Sequence, residues 1–221
     1  MSKPGGMEMD NCKGENKFHT FEVCSVNARA SRLEAERLIL GEITEKDTPL
    51  IVKWRSDPKV YRYFFSPHPL TAEEHLDWYK NQYLHQNNRV DWIAVEKVTG
   101  KPVGIFGIKR EKVGDTETEV SYLLAPEFRG KGYAAEAVDR ILKFASKQWL
   151  CHSAVARIHG DNQESIRFIG NLGFVWLETV GNFVTYRKTL VKKDDKGWKK
   201  KVVQPFFPHR KENRMSFHLQ L

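Results

Sequence analysis

Residues 120–135, VSYLLAPEFRGKGYAA, constrain this chain more than any other stretch. A β-type run leaves through a Pro turn into Arg129-Gly130-Lys131-Gly132-Tyr133-Ala134, where a helix begins. Two glycines and an alanine at a helix start let the backbone come close to a ligand. The unpaired N–H groups of the first turn then face that ligand, and the helix dipole favours negative charge. Such a turn can hold a pyrophosphate without a metal. The fold must therefore bring a strand end and a helix N-terminus together beside an opening.

The flanking pattern supplies that fold. Residues 37–43 alternate as a first strand, residues 48–55 have helical spacing, and Asp57-Pro58 should end that helix. Thr71-Ala72-Glu73-Glu74 is a capping box that opens a helix to about Gln86, with Leu76, Tyr79 and Tyr83 on one side. Three strands follow, at 91–98, 102–109 and 117–124, with Thr99-Gly100 and Gly114-Asp115 as hairpin turns. A helix over 131–149 carries Ala134, Val138, Ile141 and Ala145 on one face, and a short strand covers 154–159. Asp161-Asn162 caps a helix that stops at Leu172-Gly173, and strands 174–180 and 183–190 close as a hairpin around Gly181-Asn182. The expected fold is a mixed α/β domain over residues 31–190. A mobile arm (1–30) should precede it and a basic tail (191–221) should follow.

Three phosphate motifs compete for the turn. A Walker A loop needs Ser or Thr after Gly-Lys, but Gly132 follows Lys131. A Rossmann fingerprint needs its glycine directly after a strand and an acid about 20 residues on. Here residues 125–129 intervene, and residues 147–154 contain no acid. The third reading survives. Arg129-x-x-Gly132-x-Ala134 resembles the (Gln/Arg)-x-x-Gly-x-(Gly/Ala) signature of the GNAT superfamily of N-acetyltransferases. Asn162-Gln163-Glu164-Ser165-Ile166 through Gly173-Phe174 is similar to its second motif. The likeness spans roughly residues 37–190, with features of the RimJ/RimL branch.

The resemblance implies a central, mostly antiparallel twisted sheet whose fourth and fifth strands splay apart, with helices on its faces. It implies acetyl-CoA as cosubstrate. Backbone amides from Arg129 through Gly130, Lys131, Gly132 and Tyr133 to Ala134 would hold the pyrophosphate, with charge added by Arg129 or Lys131. Main-chain groups of Leu123 and Leu124 would pair with the pantetheine arm. Asn162 and Ser165 would meet it from the other side, although Asn162 also reads as a helix N-cap.

Acetyl transfer to an amine requires removing a proton from a group with a pKa of about 10. It also requires a donor for the developing oxyanion, which backbone N–H near Leu124 could supply, and release of a thiolate. Glu119 matches the family's strand Glu and is the expected base, directly or through a water. Alternation places Glu119, Ser121 and Leu123 on one strand face and Val120 and Tyr122 on the other. Many relatives carry a Tyr as acid where this chain has Ile169. Tyr122 and Tyr133 are the hydroxyls available to replace it, or no acid is used, since a thiol pKa near 8.5 makes thiolate a tolerable leaving group.

For the acceptor, residues 51–58 and Glu73-Glu74-His75-Leu76 resemble the PseH-like amino-sugar nucleotide acetyltransferases. That likeness makes Trp54, Arg55, Tyr61, Tyr63 and His75 substrate candidates, alongside readings of Trp54 as core, of Arg55 with Asp57 as an ion pair and of His75 as a capping or packing residue. A protein N-terminal amine, a polyamine, an aminoglycoside and a non-catalytic CoA- or RNA-binding role remain alternatives.

Composition narrows the setting. The chain has 221 residues and three cysteines (Cys12, Cys24, Cys151), with no CxxC. That argues for a reducing cytoplasm with neither disulfides nor a metal site, and for Cys151 as a small buried residue. No apolar run reaches the length of a membrane span, and the first residues have no secretory h-region. Positions 191–221 hold nine Lys or Arg against three Asp or Glu, so six of the formal +8 charges lie in the tail. The tail is expected to be solvated, to contact RNA, ribosome or anionic lipid, or to add a strand at 214–219. A homodimer is an expectation from the resemblance alone.

Overall fold

The computed structural model describes residues 31–190. Cys12, Cys24, the expected arm and the basic tail lie outside the described residues. Eight strands form one sheet: β1 (Arg32–Glu34), β2 (Leu38–Glu42), β3 (Arg89–Glu96), β4 (Pro102–Lys109), β5 (Glu117–Leu124), β6 (Ser153–His159), β7 (Val175–Val180) and β8 (Phe183–Thr189). Their order is β1-β2-β3-β4-β5-β6-β8-β7. Every neighbouring pair is antiparallel except β5 and β6, which are parallel. A parallel pair needs a crossover, and here α4 (Tyr133–Gln148) provides it.

Two helical layers cover opposite faces, as the side-chain alternation of β3 shows. Arg89 lies 4.9 Å from the ring of Trp78 on α3 (Ala72–Asn81), and the Asp91 N–H donates to Tyr83 Oη just beyond that helix. Trp92 points the other way and meets Phe144 of α4 edge-on at 5.6 Å. The α4 layer buries Ala137, Val138, Ile141, Leu142, Phe144 and Ala145 on one stripe. Burying side chains of this size contributes roughly 1.5–3 kcal/mol each. The other layer contains α1 (Thr48–Arg55), α2 (Pro58–Tyr61) and α3. Between it and the sheet, Gly107 makes room for a polar group. A Cβ there would sit 1.9 Å from Asp91 Oδ1, and Asp91 is fully buried on Arg89 at 2.6 Å.

The expected order of elements is present, with local differences. β1 was not anticipated, because its three residues join β2 without a Gly or Pro turn. Asp57-Pro58 ends α1 and also starts α2, since the Asp57 carboxylate accepts the Lys59 N–H at 2.8 Å. The Thr71 capping box forms as expected, but α3 stops at Asn81 and a 3-10 turn follows at Tyr83–His85. His75, Trp78 and Tyr83 are the buried residues of this stretch, while Leu76 and Tyr79 are only half-buried. Cys151 is fully buried, and desolvation pushes its thiol up to about 11, which makes it inert at neutral pH. No helix of the described residues is long and apolar enough to cross a membrane.

Candidate active site

The expected splay is present. β5 pairs with β6 only through Glu117↔Ser153, Thr118↔Ala154 and Glu119↔Val155. Past Glu119 the strands part, and a cavity of about 770 Å³ opens between them. Which backbone groups face it follows from the other edge of β5. The Ala125 N–H donates to Val103 O at 2.9 Å, and Gly104 sits opposite Leu124. In an antiparallel ladder alternate residues turn their N–H and C=O to the partner. Leu123 and Ser121 therefore face β4, while Leu124 and Tyr122 face the splay. Leu124 is available to a pantetheine chain as expected; the main-chain groups of Leu123 are committed to β4.

The phosphate turn closes one end of the cavity. A 3-10 turn at Pro126–Phe128 leads to Arg129, then Gly130 at φ 73° and Gly132 at φ 81°. Both glycines are in the left-handed region, which side chains resist. Gly132 is the N-cap of α4 and has no side chain to offer its first-turn amides, so no side chain caps them. Gly130, Gly132, Ala134 and Ala135 line the cavity. This is a donor set for an anion, and it fits a pyrophosphate.

A brace absent from the sequence reading holds the turn from behind. Arg37 donates to Lys131 O at 3.0 Å and to Glu136 at 2.8 Å, and lies 4.4 Å over the Tyr133 ring. Its backbone N–H also reaches Glu136. These contacts cross 94 and 99 positions of chain, so no local spacing announces them.

Of the two charges proposed for the phosphate, Arg129 lines the cavity, 3.5 Å from Glu164. Lys131 is not among the lining residues; its ammonium lies 5.3 Å from the Phe128 ring. Across the opening stands α5 (Gln163–Asn171). Asn162 serves as its N-cap, its Oδ1 accepting the Ser165 N–H at 3.2 Å. Its amide NH₂ has no partner among the described residues, so a ligand contact is compatible with the cap. Ser165 lines the same wall.

The two tyrosines part company. Tyr133 turns its hydroxyl onto Glu96, whose carboxylate keeps the phenol protonated, and its side chain stays out of the cavity. It is no candidate acid. Tyr122 does line the cavity and donates to Ser165 O at 3.5 Å. Burial raises its phenol far above the ordinary value, which leaves a hydrogen-bond donor and a poor proton source. Ile169, at the family's usual acid position, is fully buried.

Glu119 lines the cavity on the α1–α3 side, where both of its oxygens meet Arg157, at 3.1 and 2.5 Å. Four of the five expected acceptor residues lie elsewhere. Ile51, Trp54 and Arg55 form the buried stripe of α1, a spacing that was readable as core. Arg55 is buried 4.6 Å from the Phe64 ring. His75 is fully buried, 3.0 Å from Thr48 Oγ1. That hydroxyl already donates to Glu45 O, so it accepts from His75, placing the ring proton on Nδ1. None of Trp54, Arg55, Tyr61 or His75 lines the cavity; Tyr63, the remaining candidate, does so, with Arg62 and Phe64 beside it just past α2. His159, at the end of β6, also lines it and packs near Tyr63 at 5.9 Å.

Comparison with known proteins agrees with this geometry. A family profile described as acetyltransferase (GNAT) domain matches residues 37–175. An uncharacterised protein of Methanocaldococcus jannaschii is 31% identical over 166 residues, covering 73% of this chain. The aligned stretch spans only 33% of that longer protein. The crystal structure of a domain from the same organism superposes with a TM-score of 0.60 at 27% identity, covering 71% of this chain and 99% of that one. Spermidine N-acetyltransferase of Vibrio cholerae, solved with CoA and spermine, shares the fold at a TM-score of 0.60 and 18% identity, over 68% and 93% of the two chains. The chain belongs to the GNAT family of acetyl-CoA-dependent N-acetyltransferases.

Proposed function

We propose that this protein moves an acetyl group from acetyl-CoA to a primary amine of a small molecule by direct attack, and that an amino-sugar nucleotide is the acceptor. The observation that carries the transfer is the splay itself. It sets a turn of uncapped amides at one end of a single cavity and the Glu119 carboxylate on the wall of the same cavity. When bound, acetyl-CoA supplies the thioester carbonyl that the amine attacks.

The chain's residues divide the remaining work. The amides between Gly130 and Ala134 bind the pyrophosphate with the α4 dipole behind them. The Leu124 N–H orients the pantetheine or receives developing negative charge on the carbonyl oxygen. Glu119 takes the amine proton, directly or through a water, while Arg157 fixes the orientation of its carboxylate. No side chain is assigned as acid, because Tyr133 is occupied and Tyr122 is a weak one. The thiolate leaves unassisted or takes a solvent proton.

The amino-sugar reading rests on the likeness of residues 51–58 and 73–76, not on Arg55 or His75 as contacts. A polyamine acceptor is the second reading, favoured by the spermidine acetyltransferase among the relatives. Mass spectrometry of products from acetyl-CoA with nucleotide amino sugars, peptides and polyamines separates them. An acetylated nucleotide sugar with thiol release is the expected result; acetylation confined to polyamines or peptides would overturn the acceptor assignment.

A further inference from the structure

Among the described residues, the acceptor end of the cavity carries positive charge that no carboxylate pairs. α2 and the turn after it present Lys59 and Arg62 to the cavity. Arg62 donates to Tyr63 Oη at 2.7 Å and lies 4.6 Å from that ring. Neither cation meets a carboxylate among the described residues. Arg157 is the third cation on this wall, and Glu119 occupies it. Behind the wall stands Arg55, buried against Phe64, which itself lines the cavity; the Arg55 Nε and Nη1 have no partner among the described residues. Lys109, opposite Glu119 in the ladder, adds a half-buried ammonium.

The nearby negative charge is already committed or peripheral. Glu119 is held by Arg157. Asp161 is 87% exposed at the rim, 3.8 Å from His159 Nδ1. Glu164 sits with Arg129, toward the phosphate turn. Glu111 and Glu178 act on Arg157 but do not line the cavity. A polyamine entering here would bring further ammonium groups beside Lys59 and Arg62, where like charges repel; among the described lining residues the one carboxylate without a cation is Asp161, exposed at the rim. An anion would find two cations without acidic partners among the described residues, one of them a guanidinium suited to bidentate oxygen pairs.

We infer that the acceptor is a small primary amine that also carries a phosphate or carboxylate group, and that Lys59 and Arg62 are the residues that select it by receiving that anion. The inference rests on the N-acetyltransferase reading and deepens it. Charge decides against the polyamine alternative, and the selection lies on α2 and the turn after it rather than on α1 or α3.

The test uses the full chain, acetyl-CoA and probes matched with and without the anion. These are an amino-sugar nucleotide against its free amino sugar, glucosamine 6-phosphate against glucosamine, and β-alanine against 3-aminopropanamide, with spermidine as the cationic arm. In at least one pair the anionic member should have a kcat/KM higher by about tenfold or more, carried by KM, as expected for pre-reaction binding. The pair that responds tells phosphate from carboxylate. A double variant, Lys59→Glu with Arg62→Glu, should abolish that preference and improve spermidine, while CoA affinity by calorimetry stays unchanged. Preference for the neutral or cationic probes overturns the inference. An anion preference that persists in the double variant does so too, as does bound CoA with no probe acetylated. Failure to bind CoA would instead overturn the underlying enzymatic reading.

Discussion

At the α4 end of the cavity backbone groups predominate, the amides of residues 130–135 and the outward-turned edge of β5, with the Arg129 and Asn162 side chains beside them. At the α2 end they are side chains: Lys59, Arg62, Tyr63, Glu119, Arg157 and His159, drawn from three separated stretches of chain. A backbone site needs only a permitted φ and an absence of side chain, so a short motif can specify it. A side-chain site needs elements to pack first, and small changes in one helix re-aim it. The first end suits a cosubstrate common to a whole family. The second suits an acceptor that differs between members.

The largest expected effect falls on the side-chain end. Glu119→Gln should lower kcat by about 100-fold or more at neutral pH, with CoA affinity intact. The loss should shrink as pH rises toward the amine pKa of about 10, where the acceptor deprotonates without help. A uniform loss across pH would retire Glu119 as the base and leave it a partner of Arg157.

Next comes the layer beneath that end. Burial, with Arg55 close by, lowers the His75 pKa to about 4. The unfolded chain takes up this proton near pH 6.5, so the folded state is fully favoured above that pH. Stability should fall as pH drops from about 6.5 to about 4, by up to about 3 kcal/mol. His75→Gln should flatten that slope in urea titrations. A slope that persists would mean other groups carry it. Activity of the variant above pH 7 with unchanged acceptor KM would sharpen the assignment of His75 to packing rather than recognition.

At the backbone end, Gly132→Val places a β-branched residue at φ 81°. Strain of roughly 1–2 kcal/mol corresponds to about tenfold weaker CoA binding by calorimetry, with acceptor preference retained. The smallest effect belongs to Arg37→Ala. It removes the brace on Lys131 O and Glu136 and should weaken CoA by about threefold. An acceptor-specific defect in either variant would break the division between the two ends.

What was legible in the sequence follows the same division. The turn at Arg129–Ala134, the capping box at Thr71, the hairpin at Gly181 and the Asn162 cap depend on neighbours a few positions apart, and each is present. Arg37 escaped notice because its partners lie almost a hundred residues away. A likeness of local motif offers Trp54, Arg55 and His75 as acceptor contacts, beside a packing reading of Trp54 and His75. Their helical spacing instead turns them into the packing between α1, α3 and the sheet. Tyr133 illustrates the limit within a single residue: its backbone position was readable, whereas the direction of its hydroxyl required knowing where Glu96 would sit. The splay was expected only through resemblance, since strand alternation does not reveal where two parallel strands part.

The amide resonances of the turn give the most direct test of the central claim. In ¹⁵N-labelled full-length protein, CoA should shift Gly130, Gly132, Tyr133 and Ala134 strongly, along with Leu124, because those N–H groups gain an acceptor. Dephosphorylated pantetheine, lacking the pyrophosphate, should move Leu124 and leave the turn nearly still. Shifts scattered over other surfaces, or a turn that ignores CoA while the rest of the cavity responds, would contradict the account.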